Sequence, residues 1–231
     1  MKPKFKIALL GLMVLSLAAC ASPVRDLYFG EIKGMVVDAD TNQPIEGAVV
    51  YVNWQAIDRH SGFIQAVDVG PLYATETTTD KEGHFVLPKG GPIKVDKLDE
   101  LTPNAPTIGA LKFGYKPGLS SLGNKVEYKW IIRKYFLPAD PKLSNFKLHR
   151  MTLHEMQAED NTYTTFALSD DVADIMNRSC WWEKLPRTIM ALEHMENKAK
   201  EQELWLFYGI TTRNKIPKDR GCKDPKEILG E

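Results

Sequence analysis

The run Glu31-Ile-Lys-Gly-Met-Val-Val-Asp-Ala-Asp-Thr-Asn-Gln-Pro-Ile-Glu-Gly-Ala-Val-Val-Tyr-Val-Asn-Trp54 decides how the chain folds. Ile32 to Val37 reads as a strand. Asp38 to Pro44 reads as a turn, because Asp and Asn bond their own backbone and Pro fixes φ. Gly47 to Trp54 then alternates. Ala48, Val50, Val52 and Trp54 share one face, and Val49 and Tyr51 the other. Apolar residues on both faces predict a strand covered on both sides.

Working outward, Thr75, Thr77 and Thr79 have strand character, and Asp80 to Gly83 is a tight turn in which Gly83 suits positive φ. His84 to Leu87 returns as a strand that Pro88 stops. Thr107 to Phe113 is a further strand, ending at Gly114-Tyr115-Lys116-Pro117. Lys125 to Phe136 reads as one aromatic-rich strand, and Phe146 to Met151 as the closing one, with Phe146, Leu148 and Arg150 on one side. The segments 55–74 and 89–106 are longer than hairpins need. They read as solvated insertions or as a recognition loop on a rigid scaffold. Gly90-Gly91-Pro92 reads as a turn, and its proline removes a donor that a phosphate loop would need.

These residues resemble the carboxypeptidase regulatory-like domain, the transthyretin-like or prealbumin-like sandwich. The matching elements are Gly34, Val36, Asp38, Thr41, Pro44, Gly47-Ala48-Val49-Val50, Thr79-Asp80, Gly83, Phe85 and Gly114-Tyr115. They cover about residues 31–118. The resemblance implies an antiparallel β-sandwich without catalytic activity. Two enzyme groups use related sandwiches. Transthyretin-related hydrolases carry a carboxy-terminal Tyr-Arg-Gly-Ser run that this chain lacks. Intradiol dioxygenases need two Tyr and two His on iron, and no recognisable arrangement of them occurs here.

At the amino terminus, Lys2, Lys4 and Lys6 precede an apolar run from Ile7 to Ala19. That run is too short to cross a ~30 Å hydrocarbon core comfortably and suits a secretory signal. It ends in Leu17-Ala18-Ala19-Cys20, which resembles the lipobox of bacterial lipoproteins. The resemblance implies cleavage before Cys20, a diacylglycerol on its thiol and a further acyl chain on its amine. Such chains contribute roughly 0.8 kcal/mol per buried CH₂ to membrane attachment. An ordinary secretory signal containing a cysteine is the competing reading. Ala21 is not the Asp that retains enterobacterial lipoproteins at the inner membrane, which implies the outer membrane, facing the periplasm.

The chain has 30 basic and 30 acidic residues. Removing the three leader lysines leaves 27 against 30, a net charge of −3 on the mature part. This gives no electrostatic case for nucleic-acid binding. Besides Cys20, two cysteines remain, Cys180 and Cys222. In an oxidising compartment they are candidates for one disulfide worth roughly 3–4 kcal/mol; two free thiols are the alternative.

After Thr165 the chain turns helical. Ser169-Asp170-Asp171 reads as a helix start, with Val172, Ile175, Met176 and Cys180 as its stripe. A second helix is predicted to start near Pro186, with Ile189, Leu192, Met195 and Ala199 as its apolar stripe. The pair Trp181-Trp182 points about 100° apart on a helix and cannot form one flat stack.

The expected class is thus α+β, an antiparallel transthyretin-like sandwich followed by a C-terminal helical segment. The expected divisions are 1–19 signal peptide, 20–30 tether, 31–153 sandwich with inserted loops, 154–213 helical extension and 214–231 polar tail. No His-Glu-x-x-His or comparable metal-ligand spacing occurs among His60, His84, His149, His154 and His194. No cofactor or metal is expected. The leading expectation is a lipid-anchored, non-enzymatic envelope protein that binds a protein or glycan partner, with Trp54, His60 and Tyr73 as candidate contacts. The alternative is a small envelope hydrolase or metal-dependent enzyme using the 55–74 insertion.

Overall fold

The computed structural model describes residues 25–58, 67–95, 99–101, 106–121, 129–131, 134–137, 145–158, 180–204, 206 and 222–230. Cys20, His60 and the 169–179 helix start lie outside these residues.

The strands are β1 (Arg25–Phe29), β2 (Ile32–Asp38), β3 (Val49–Asp58), β4 (Val67–Thr78), β5 (His84–Leu87) and β6 (Gly90–Val95). They continue as β7 (Asp99–Leu101), β8 (Thr107–Leu111), β9 (Gly118–Ser121), β10 (Lys129–Ile131), β11 (Lys134–Leu137) and β12 (Asn145–Leu148). The helices are α1 (Leu153–Ala158), α2 (Pro186–Lys200) and α3 (Pro225–Leu229), with a 3₁₀ turn at Trp181–Lys184 before α2.

The fold is α+β, a largely antiparallel sandwich carrying a helical C-terminal segment. One sheet runs β4-β3-β8-β9, with β7 also pairing β3. A second runs β12-β2-β5 and a third β10-β11-β1-β6. Among the described residues, two pairings are parallel, β12 with β2 and β1 with β11.

β3 is covered on both faces, as its alternation predicts. Ala48, Val50, Val52 and Trp54 join Ile32, Val36, Phe85, Leu87, Phe146 and Leu148 in the core between the sheets. Tyr51 points the other way and packs with Leu111, Leu185, Ile189, Leu192 and Met195 under α2. Fully burying such side chains contributes about 1.5–3 kcal/mol each. The Tyr51 ring needs room across the sheet. Its register partner is Gly109, where a Cβ would collide with the ring. The Asp80–Gly83 turn also needs its glycine: φ is +74°, and a Cβ would meet the Val36 carbonyl.

Several expectations change. Arg25–Phe29, placed in the tether, forms β1, because Leu27 and Phe29 alternate into the core. Lys125–Phe136 is not one strand: Lys129–Ile131 and Lys134–Leu137 form an antiparallel hairpin. Gly90-Gly91-Pro92 is the start of β6 rather than a turn, with a register irregularity against β1. The 55–74 insertion is largely the extended β3–β4 hairpin, since Gln55–Asp58 pair with Val67–Pro71. Part of 89–106 is likewise strand, in β6 and β7.

The 214–231 tail contains α3, for which the sequence carries the signals. Asp224 accepts from the Lys226 N–H, Pro225 occupies the first turn, and Gly230 closes the helix at φ 74°. The α2 expectation holds. The helix starts at Pro186, and Ile189, Leu192, Met195 and Ala199 are buried.

Candidate functional site: a helix-covered sheet and its open groove

Three constructions position the side chains with perturbed chemistry. The first centres on Asp38, at the end of β2. Its Oδ1 accepts the N–H groups of Asp40 and Thr41, both at 3.0 Å, which shapes the turn toward Pro44. Its Oδ2 accepts Arg150 Nε at 2.6 Å and the Tyr115 hydroxyl at 3.1 Å. The Arg150 guanidinium holds this carboxyl well below the usual carboxylate range, and the Thr41 and Asp40 N–H groups add to it against the cost of burial. Arg150 also lies 5.6 Å over the Tyr115 ring. Burial, and then donation to Asp38, push the Tyr115 hydroxyl up. One carboxylate thus joins the β2 turn, the Gly114-Tyr115 turn and the chain leaving β12.

The second construction holds α2. Leu185 at its N-cap makes no side-chain capping bond. Glu76 of β4 does this from another layer. It accepts the Arg187 N–H at 2.7 Å, the Thr188 N–H at 2.8 Å and the Thr188 hydroxyl at 2.8 Å. Burial raises the Glu76 carboxyl, and these donors pull it partway back. Nothing in the sequence around Glu76 signals a cap 111 residues away.

The third is the disulfide. Cys180 and Cys222 are joined, with Cα atoms 5.3 Å apart, so the paired alternative is the one realised. Glu183 accepts the Lys223 N–H at 2.7 Å beside it. Among the described residues, Cys180, Glu183 and Cys222 are the one grouping of three potential metal-binding atoms, and its sulfurs are bonded to each other.

The aromatic candidates fall elsewhere. Trp54 is 1% exposed and packs against Phe29 at 5.1 Å, so it offers no open face to a sugar. Tyr73 stacks on Phe29 at 4.8 Å and donates to the Pro88 carbonyl, and burial pushes its hydroxyl up. Alternation placed Trp54 correctly within β3, whereas Tyr73, read as part of the 55–74 insertion, lies in β4; the partners that cover both come from other strands. The side chains of Trp181 and Trp182 lie outside the described part.

Among the described residues, the fold leaves open a groove of about 520 Å³ where α2 and α3 meet the end of β8. Leu111, Lys112 and Phe113 line the sheet side, and Arg187, Met190, Ala191 and His194 the α2 side, with Leu229 contributed by α3. Phe113 is 47% exposed, and its ring meets His194 edge-on at 5.0 Å. Lys112 Nζ donates to the Glu46 carbonyl at 2.8 Å. None of these groove residues was singled out from the sequence. The i, i+3, i+4, i+7 spacing of 187, 190, 191 and 194 was the available signal, and the stronger buried stripe masked it.

Fold and surface together define a β-sandwich module extended by a disulfide-tied helical layer. No family profile matches the chain, and no curated protein matches it. Among solved structures it is similar to 3-chlorocatechol 1,2-dioxygenase from Rhodococcus opacus at 16% identity and a TM-score of 0.31. That match covers 57% of this chain and 62% of the dioxygenase, so the chain spans less than two thirds of it. It is also similar to the C-terminal domain of the shaft pilin SpaA from Lactobacillus rhamnosus, at 17% identity and a TM-score of 0.24, covering 56% and 99% of the two chains. Likenesses of this strength leave function to be argued from this chain's own residues. No helix among the described residues is long and apolar enough to cross a membrane.

Proposed function

We propose that this chain is a lipid-anchored, non-enzymatic protein of the bacterial envelope, whose carboxypeptidase regulatory-like sandwich serves as a binding module. The observation that carries the reading is the open groove that the C-terminal layer builds on the sandwich. The groups with shifted acidity, by contrast, hold the fold together: Asp38 joins three segments and Glu76 docks α2. The paired Cys180 and Cys222 fit an oxidising compartment, as export would provide. The anchor would be Cys20, with Ala21 favouring the outer membrane and the module facing the periplasm.

Two experiments test this reading. Cys20→Ser should abolish lipid labelling and release the protein from membranes; a variant that still fractionates with membranes is not anchored solely there. Crosslinked pull-down from envelope fractions should recover a consistent partner, and recovery of none counts against a binding module.

A further inference from the structure

The groove has an ordered chemistry. Along the exposed side of α2, Arg187 stands at one end and His194 at the other, with Met190 and Ala191 between them. Seven residues at 1.5 Å each separate the two ends by about 10 Å. Lys112 adds an ammonium from the sheet side, bonded to a neutral carbonyl rather than a carboxylate. The Arg187 guanidinium lies 3.8 Å from Glu76, whose oxygens already accept three shorter bonds. No Asp or Glu is among the described residues lining the groove. Phe113 and Leu229 supply further apolar surface.

We propose that the groove takes an extended acidic segment of a partner protein, with two carboxylates flanking an apolar side chain. This rests on the binding-module reading and names the partner's chemistry. In an extended peptide, residues i, i+2 and i+4 face one way and span about 13 Å. Carboxylates at i and i+4 then reach Arg187 at one end and the His194 ring at the other, with Lys112 adding positive charge from the sheet side. The apolar residue at i+2 lands on Met190 and Ala191. A fatty carboxylate offers one charged head and leaves one polar end unmatched, so the two-ended lining favours a peptide. Backbone groups in such a segment retain solvent access in an open groove, so their desolvation cost is small.

The test uses the full chain and fluorescein-labelled peptides carrying Glu, Leu and Glu at alternate positions. The Glu peptide should bind, and its affinity should fall with added salt. The Lys counterpart should bind at least ten-fold more weakly. Lys112→Gln, Arg187→Gln and Met190→Glu should each weaken binding of the Glu peptide, the last by ten-fold or more. Melting temperatures of the variants separate lost binding from lost fold, and Lys112→Gln, at the sheet end and away from the α2 cap, is the variant expected to melt like the parent.

Absence of peptide binding, equal binding of the Lys peptide, or affinity unchanged in well-folded variants overturns the proposal. So does decanoate occupying the groove while the Glu peptide does not. Dimerisation of the chain that Met190→Glu abolishes would assign the groove to a second copy and equally overturn it. If an envelope partner is still captured by folded Arg187→Gln and Met190→Glu variants, the groove fails while the binding-module reading stands.

Discussion

Asp38 and Arg150, 112 residues apart in sequence, meet at 2.6 Å between carboxylate and guanidinium. The carboxylate is 2% exposed at its side chain, whereas the arginine is 68% exposed. The buried partner is therefore the one whose state matters. Its other donors, the Asp40 and Thr41 N–H groups and the Tyr115 hydroxyl, all require an acceptor at Asp38.

The Asp38 carboxyl is lowered, chiefly by Arg150, from an ordinary value of 3.8. A group lowered on folding stabilises fully above its unfolded value and loses that stabilisation as pH falls toward its folded value. Thermal melts should therefore show an acid limb of falling stability beginning near pH 4. Asp38→Asn should lower the melting temperature at pH 7 and flatten that limb. An unchanged acid limb would assign it to other carboxylates.

Glu76 should behave with the opposite sign. Burial raises its carboxyl, so its protonated form is favoured in the fold. Its contribution is largest below the ordinary carboxyl range and declines as pH rises through the folded value. Glu76→Ala removes the acceptor for Arg187 and Thr188 and should cost about 1–2 kcal/mol, as lost helix caps do. Hydrogen exchange should accelerate at the first turn of α2, with little change in the sandwich core. Glu76→Gln, which keeps one carbonyl oxygen, should cost less than Glu76→Ala.

Cys180→Ser with Cys222→Ser should lower stability by about 3–4 kcal/mol in denaturant titrations, from the loop entropy returned to the unfolded chain. The separation of 42 residues sets that size. The expected local sign is faster exchange in α3, which the disulfide and Asp224 hold in place.

Gly109→Ala should cost about 1–3 kcal/mol by overpacking, because its Cβ meets the Tyr51 ring. Tyr51→Leu on its own opens the layer beneath α2. The double variant should be more stable than the sum of the two single losses predicts, as expected for residues in direct contact. Strict additivity in urea titrations would show that the ring is not what excludes a side chain at Gly109.

The local architecture was legible because its determinants are local. Alternation from Ala48 to Trp54 specified a strand buried on both faces. Asp38–Pro44 and Asp80–Gly83 specified turns, and Pro186 with the Ile189–Ala199 stripe specified α2. Where the reading failed, single residues had misleading neighbours. Leu27 and Phe29 were too few to mark β1 beside the tether, and the polar surroundings of residues 224–230 hid a well-capped helix.

The sequence by itself determined which segments are strands and helices wherever period and turn chemistry agree. It also carries the lipobox resemblance at Cys20. Only the tertiary structure decided that Asp38 would find Arg150, that Glu76 would cap α2, and that Cys180 would pair with Cys222. It also decided that Trp54 is core, and that Lys112, Phe113, Arg187 and His194 share one groove. The physical reason is range. Periodicity and turn preferences act over a few residues, whereas hydrogen bonds, burial and surface charge depend on which distant segments the sheets and helices bring together.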